Sequence, residues 1–116
     1  MKTIKVTGAI IQNDNNFLIG RRGKDEKSAG MWEFPGGKLE EGESPKECIK
    51  RELKEELNID AEIGELFSSY TYNYNHVSYE LFFFKVNSFF GEPVKCVHDK
   101  LRWEKLKNFC KYDFLP

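Results

Sequence analysis

Glu52, Glu55 and Glu56 stand at i, i+3 and i+4, a spacing that puts three carboxylates on one face if residues 44–57 are helical, with Cβ atoms about 5–6 Å apart. Like charges so placed repel, and in one reading they are simply a solvated helix face. In the other they offer hard oxygen ligands to a divalent cation. Magnesium suits that chemistry best, because it takes oxygen donors, keeps several waters and bridges one or two carboxylates to substrate phosphates. Calcium and manganese are the alternatives, and zinc is disfavoured without His or Cys nearby.

The helix that must carry these acids is well signalled. Ser44 is a good N-cap, Pro45 suits the first helical position, and Glu47 completes a capping box three residues after the cap. Ile49, Leu53 and Leu57 recur every four residues and make an apolar stripe beside the acidic face. Arg51 follows Glu47 by four residues and precedes Glu55 by four, so it can pair with either and hold the ridge in place. Upstream, Pro35-Gly36-Gly37 is expected to interrupt regular structure.

Around the helix the chain alternates as strands do. Residues 3–12 and 17–21 form a hairpin about a polar turn at 13–16, and residues 31–34 form a short strand. Residues 62–72 and 76–86 are two extended stretches joined at Asn73-Tyr74-Asn75. In the second, Val77, Tyr79, Leu81 and Phe83 alternate with Ser78, Glu80 and Phe82. A last strand covers 101–104 around Trp103. Strands on both sides of one strong helix predict an α+β domain with a mixed sheet.

Gly37, Glu43, Arg51, Glu52, Glu55 and Glu56, closing on Asn58-Ile59, resemble the Nudix box, G-x5-E-x7-R-E-U-x-E-E-x-G-U with U aliphatic. Asn58 departs from the family's glycine, but asparagine is the next best residue for the left-handed conformation that ends a helix. Trp32-Glu33-Phe34-Pro35-Gly36-Gly37-Lys38-Leu39-Glu40 and Ile19-Gly20-Arg21-Arg22 are similar to the lead into the box in MutT-type members.

The resemblance implies an α/β/α sandwich, with the box as loop, helix and loop at one end of the sheet. It implies metal binding by Glu52, Glu55 and Glu56 and the Gly36 carbonyl, with Glu52 as internal base and Arg51 orienting the carboxylates. Glu43 would support the box. Arg22 and Lys38 would meet phosphate, while Gly37 borders the substrate and Phe34 offers a surface on which a base can stack. Where the family often carries a Glu-His pair before the last strand's tryptophan, this chain has Val97-His98-Asp99, so a fourth carboxylate is missing unless His98 or Asp99 reaches over.

The reaction implied is magnesium-dependent hydrolysis of a (deoxy)nucleoside triphosphate to monophosphate and pyrophosphate, with an oxidised nucleotide such as 8-oxo-dGTP as a family substrate. The asparagine that reads oxidised guanine follows the segment matching Pro116, where this chain has ended. Another diphosphate (ADP-ribose, a dinucleotide, CTP) and a non-catalytic nucleotide-binding module stay open as alternatives. Family members usually carry a further helix after the segment matching Phe114-Leu115-Pro116. The expectation is therefore a shortened chain or a fold lacking its last helix, and in the second case an uncovered sheet face sealed in a homodimer.

The 116 residues suit one domain, 1–116. A net charge of −1, from 18 basic and 19 acidic residues, provides no field to attract a nucleic-acid polymer or an acidic membrane. Cys48, Cys96 and Cys110 are odd in number and widely spaced, which predicts free thiols in the reducing cytoplasm. Ala9-Ile10-Ile11 is too short an apolar run for a signal peptide or a spanning helix.

Overall fold

A computed structural model describes residues 2–114. The elements run β1 (Lys2–Ile10), β2 (Gln12–Asn13), β3 (Asn16–Arg22), β4 (Trp32–Glu33), β5 (Gly36–Lys38), α1 (Pro45–Leu57), β6 (Asp60–Tyr74), β7 (Val77–Phe90) and β8 (His98–Lys105), followed by a 3-10 helix at Leu106–Lys111. One sheet has the order β5-β1-β7-β6, in which β1 and β7 are parallel and the other pairs antiparallel. In the other, antiparallel throughout, β8 runs the length of β3 while β2 and β4 pair with its two ends. This is the α+β class with a mixed sheet. Among the described residues α1 is the one α-helix, so there is a single helical layer where the full α/β/α sandwich has two.

Helix α1 begins and ends as its residues dictate. The Ser44 side chain accepts from the Glu47 amide, and the Glu47 carboxylate accepts from the Ser44 amide, which satisfies two otherwise orphaned donors. Asn58 stops the helix in the left-handed conformation, φ 57°. Cys48, Ile49, Leu53 and Leu57 are buried, and the last three pack with Ala9, Ile11, Leu18, Ile59, Ala61, Ile63 and Phe84. That burial fixes which face of α1 looks away from the core.

Three local readings need correction. Gly36 and Gly37 do not break the sheet; with Lys38 they form β5, antiparallel to β1 through Gly8↔Gly36, Thr7↔Gly37 and Val6↔Lys38. Low strand propensity is overridden because only bare backbone fits: a Cβ on Gly36 would lie 2.0 Å from the Thr7 carbonyl oxygen. The second hairpin is longer than alternation indicated, and its turn is Asn75-His76, both at positive φ (54° and 64°), as in a type I′ connection. The last strand starts at His98, three residues before the apolar pattern becomes visible. Edge strand β6 leaves Phe67, Tyr70, Tyr72 and Tyr74 exposed.

Candidate functional site

The exposed side of α1 is organised by Arg51. Its guanidinium grips Glu43 with two nitrogens, Nε to Oε2 at 2.7 Å and Nη2 to Oε1 at 2.9 Å. Nη1 donates to Glu52 at 2.8 Å and to Glu55 at 3.2 Å, and Nη2 also reaches the Lys38 carbonyl at 3.2 Å. Arg51 thus ties the loop after β5 to the helix. The partner expected at Glu47 is not used, because that carboxylate is committed to the N-cap. Glu43 is held down to about 2 by Arg51 and then by the Glu40 amide, so it stays ionised as a fixed counter-charge.

Glu52 lies close under β5. A Cβ on Gly37 would come within 2.5 Å of the Glu52 carboxyl group, so glycine at 37 is what admits the carboxylate. The Gly37 carbonyl is in turn held by the Thr7 hydroxyl at 3.0 Å. Glu56 accepts from the Gly36 amide at 3.3 Å. Burial, then the hydrogen bond with Glu52 and the charges of Glu52 and Glu33, push the Glu56 carboxyl up to about 9. Glu55 stands apart from this pair, more than half exposed and joined to Arg51.

Glu56 and Gly36 line a cavity of about 190 Å³ with Arg22, Glu26, Glu33, Val97 and His98. Arg22 donates to Glu33 at 3.0 Å and to the Lys27 carbonyl at 2.6 Å. Of the two residues proposed to replace the missing fourth acid, His98 shares the cavity of Gly36 and Glu56 but spends Nε2 on Glu33, and Asp99 does not line it. Asp99 is paired with Arg21 at 2.8 Å, and His98 is buried against Glu33 at 2.8 Å. Lys38 lines a separate depression with Lys2, Lys5 and Glu40. Phe34 faces a third cavity of about 320 Å³, with Phe17, Tyr70, Phe83 and Phe109 among its walls. The sequence therefore brings together Glu52, Glu56, Gly36, Gly37, Arg51, Glu43 and Arg22. Glu33 was missed as a site residue and His98 was considered only as a stand-in for the absent acid, since nothing local pairs two side chains 65 positions apart.

The raised Glu56 carboxyl has a measurable consequence. Its folded value lies above its ordinary one, so its contribution to stability is fully present below about pH 4.5 and is lost as pH rises through about 9. With a chelator present, the melting temperature is expected to fall across that window. The slope is at most about 1.4 kcal/mol per pH unit, and Glu56→Gln should flatten it. A wild-type profile already flat would show that Glu56 ionises normally.

This fold and site define a class that comparison with known proteins makes explicit. Residues 2–113 match the NUDIX domain model, and the chain belongs to the Nudix hydrolase family, whose MutT-like members are among its relatives. It is 35% identical over 116 residues to the CTP pyrophosphohydrolase of Escherichia coli (strain K12), covering 100% of this chain and 86% of that protein. It is 36% identical over 117 residues to the 8-oxo-dGTP diphosphatase of the same organism, covering 100% and 91%. The solution structure of the E. coli ORF135 protein superposes with a TM-score of 0.89 at 35% identity, over 100% of this chain and 83% of that one. The crystal structure of the MutT protein from Methanosarcina mazei Go1 gives 0.87 at 26% identity, over 99% and 86%.

Proposed function

We propose that the chain hydrolyses a (deoxy)nucleoside triphosphate to the monophosphate and pyrophosphate, with magnesium held by Glu52, Glu56 and the Gly36 carbonyl and with Glu55 at its outer side. The observation that carries this reading is Glu56, whose carboxyl, raised by burial and by the adjoining Glu52, bonds the Gly36 amide and lines a cavity edged by Arg22. Among the described residues no three acidic, His or Cys side chains form a ready-made cage. Such an open donor set of hard oxygens fits an ion that keeps waters and draws its remaining ligands from substrate phosphates. When bound, magnesium neutralises phosphate oxygens and brings a water toward attack at neutral pH.

The protein's own groups do the rest. Glu52, oriented by Arg51 and pressed against Gly37, accepts the proton of the attacking water. Arg22 meets a phosphate at the cavity edge. Phe34 walls the apolar cavity and Gly36, two residues on, walls the polar one, so base and phosphates have adjoining places. Apart from Ser68 and Tyr70 the residues lining that cavity have apolar side chains, which favours stacking over reading of the base edge. Both E. coli relatives named above are, by name, enzymes of nucleoside triphosphates, one of CTP and one of 8-oxo-dGTP.

The test is a panel of nucleoside triphosphates, 8-oxo-dGTP, ADP-ribose and dinucleotides with magnesium, read for pyrophosphate and monophosphate. Pyrophosphate release from triphosphates of several bases, abolished by a chelator, is the expected result. Turnover confined to ADP-ribose or dinucleotides would overturn the substrate, and tight binding without turnover would overturn catalysis. All three cysteines are free thiols, and no described helix is long and apolar enough to cross a membrane; both accord with the cytoplasmic placement we propose.

A further inference from the structure

Glu33 and His98 come from two strands on opposite edges of β3. Gly20 pairs with Glu33 of β4 on one side and with Leu101 of β8 on the other, while Arg22 pairs with His98. The two side chains meet across β3, with His98 Nε2 at 2.8 Å from Glu33 Oε2. Glycine at 20 makes this possible, because a Cβ there would lie 2.6 Å from the imidazole ring. The second Glu33 oxygen, Oε1, accepts from Arg22 Nη1 at 3.0 Å. A carboxylate only accepts, so Nε2 carries the proton of the His98 ring.

The other nitrogen of that ring identifies what the histidine is for. Nδ1 is buried and has no hydrogen-bond partner, although the His98 side chain is only 2% exposed. An orphaned buried nitrogen costs stability, and a leucine or phenylalanine would fill the same space without it. What the histidine contributes in return is its one bond to Glu33, which fixes the carboxylate and hence the oxygen offered to Arg22.

Arg22 is held in two directions and nearly free in a third. Nη1 is bound to Glu33 and Nε to the Lys27 carbonyl, whereas Nη2 has only Glu26 at 3.8 Å, from a side chain 52% exposed. Glu26 and Arg22 both line the cavity of Gly36 and Glu56. An incoming phosphate oxygen outcompetes a distant, solvated carboxylate for that last donor edge.

We propose that His98 and Glu33 are positioning residues that aim the Arg22 guanidinium at a phosphate group of the nucleoside triphosphate, with the Glu26 contact giving way to substrate. This rests on the function proposed above and assigns the residues that prepare its phosphate contact. Holding the guanidinium in place beforehand removes ordering cost from substrate binding, so the effect falls on KM.

The experiment is steady-state kinetics on a nucleoside triphosphate with magnesium for Glu33→Gln, His98→Leu, His98→Gln and Arg22→Ala, and for the first two combined with Arg22→Ala. Glu33→Gln and His98→Leu should each raise KM about tenfold with kcat within about threefold. His98→Gln, which retains a donor for Glu33, should restore most of the wild-type KM. His98→Leu should melt no lower than the wild type, since it removes the orphaned nitrogen, and this separates positioning from a structural role. In the Arg22→Ala background Glu33→Gln and His98→Leu should have no further effect. Additive effects in that background, or a wild-type KM in both Glu33→Gln and His98→Leu, would overturn the inference while leaving the function standing. A wild-type chain without turnover would overturn both.

Discussion

Glu52→Gln is expected to lower kcat by about 10²–10⁴-fold, the range set by loss of a general base, while the protein melts at or slightly above the wild-type temperature. The two halves of that expectation come from one geometry. The amide oxygen of glutamine can still accept from Arg51 Nη1, which sits 2.8 Å from Glu52 Oε1, and the isosteric side chain still fits beneath Gly37. Removing the charge also relieves Glu56, whose raised carboxyl owes part of its shift to Glu52. Folding therefore loses nothing, but a neutral amide cannot take a proton from water and is a poorer partner for a cation. Glu55→Gln should cost less, because Glu55 is solvated and shares Arg51 with two better-placed acids. Pyrophosphate release measured alongside a calorimetric melt decides the matter. Near-normal turnover in Glu52→Gln would remove Glu52 from the role assigned to it.

What could be read from the chain alone divides by the range of the interactions involved. The capping box at Ser44 and Glu47, the Ile49-Leu53-Leu57 stripe and the left-handed stop at Asn58 are contacts within a few residues, so spacing encodes them directly. The same periodicity brought Glu52 and Glu56 together, while Glu55, expected with them, stands apart and exposed. Pairings across the fold were not encoded that way. Strand β5 can lie against β1 because Thr7 and Gly8 approach Gly36 too closely for any side chain, a fact about two segments about thirty residues apart. Arg51 was expected to choose Glu47 or Glu55 by helical spacing. It does reach Glu55, but its strongest grip is on Glu43, eight residues back, which the loop carries toward the helix. The Glu33–His98 contact needs three adjacent strands before it can form, and no pattern along the chain announces it.

Leu53→Ala supplies the opposite dissociation, with stability lost and chemistry retained. Leu53 is fully buried, one residue from Glu52, in a cluster with Ile49, Leu57, Ala9, Leu18 and Ile63. Truncation removes the transfer free energy of the isobutyl group and leaves a cavity that helix and sheet cannot fully close. The cost is about 2–5 kcal/mol. For a chain of this length that lowers the melting temperature by about 8–20 °C. The carboxylates next to it are held from outside the core, by Arg51, Gly37 and Gly36, and these groups keep their places while α1 stays docked. Activity per folded molecule, measured well below the new midpoint, should therefore stay within about threefold of the wild type. A loss of under about 1 kcal/mol would mean that α1 is not anchored through this residue. A large fall in kcat with the fold intact would mean instead that the acidic face depends on the core packing beneath it, and the separation between the two sides of α1 would fail.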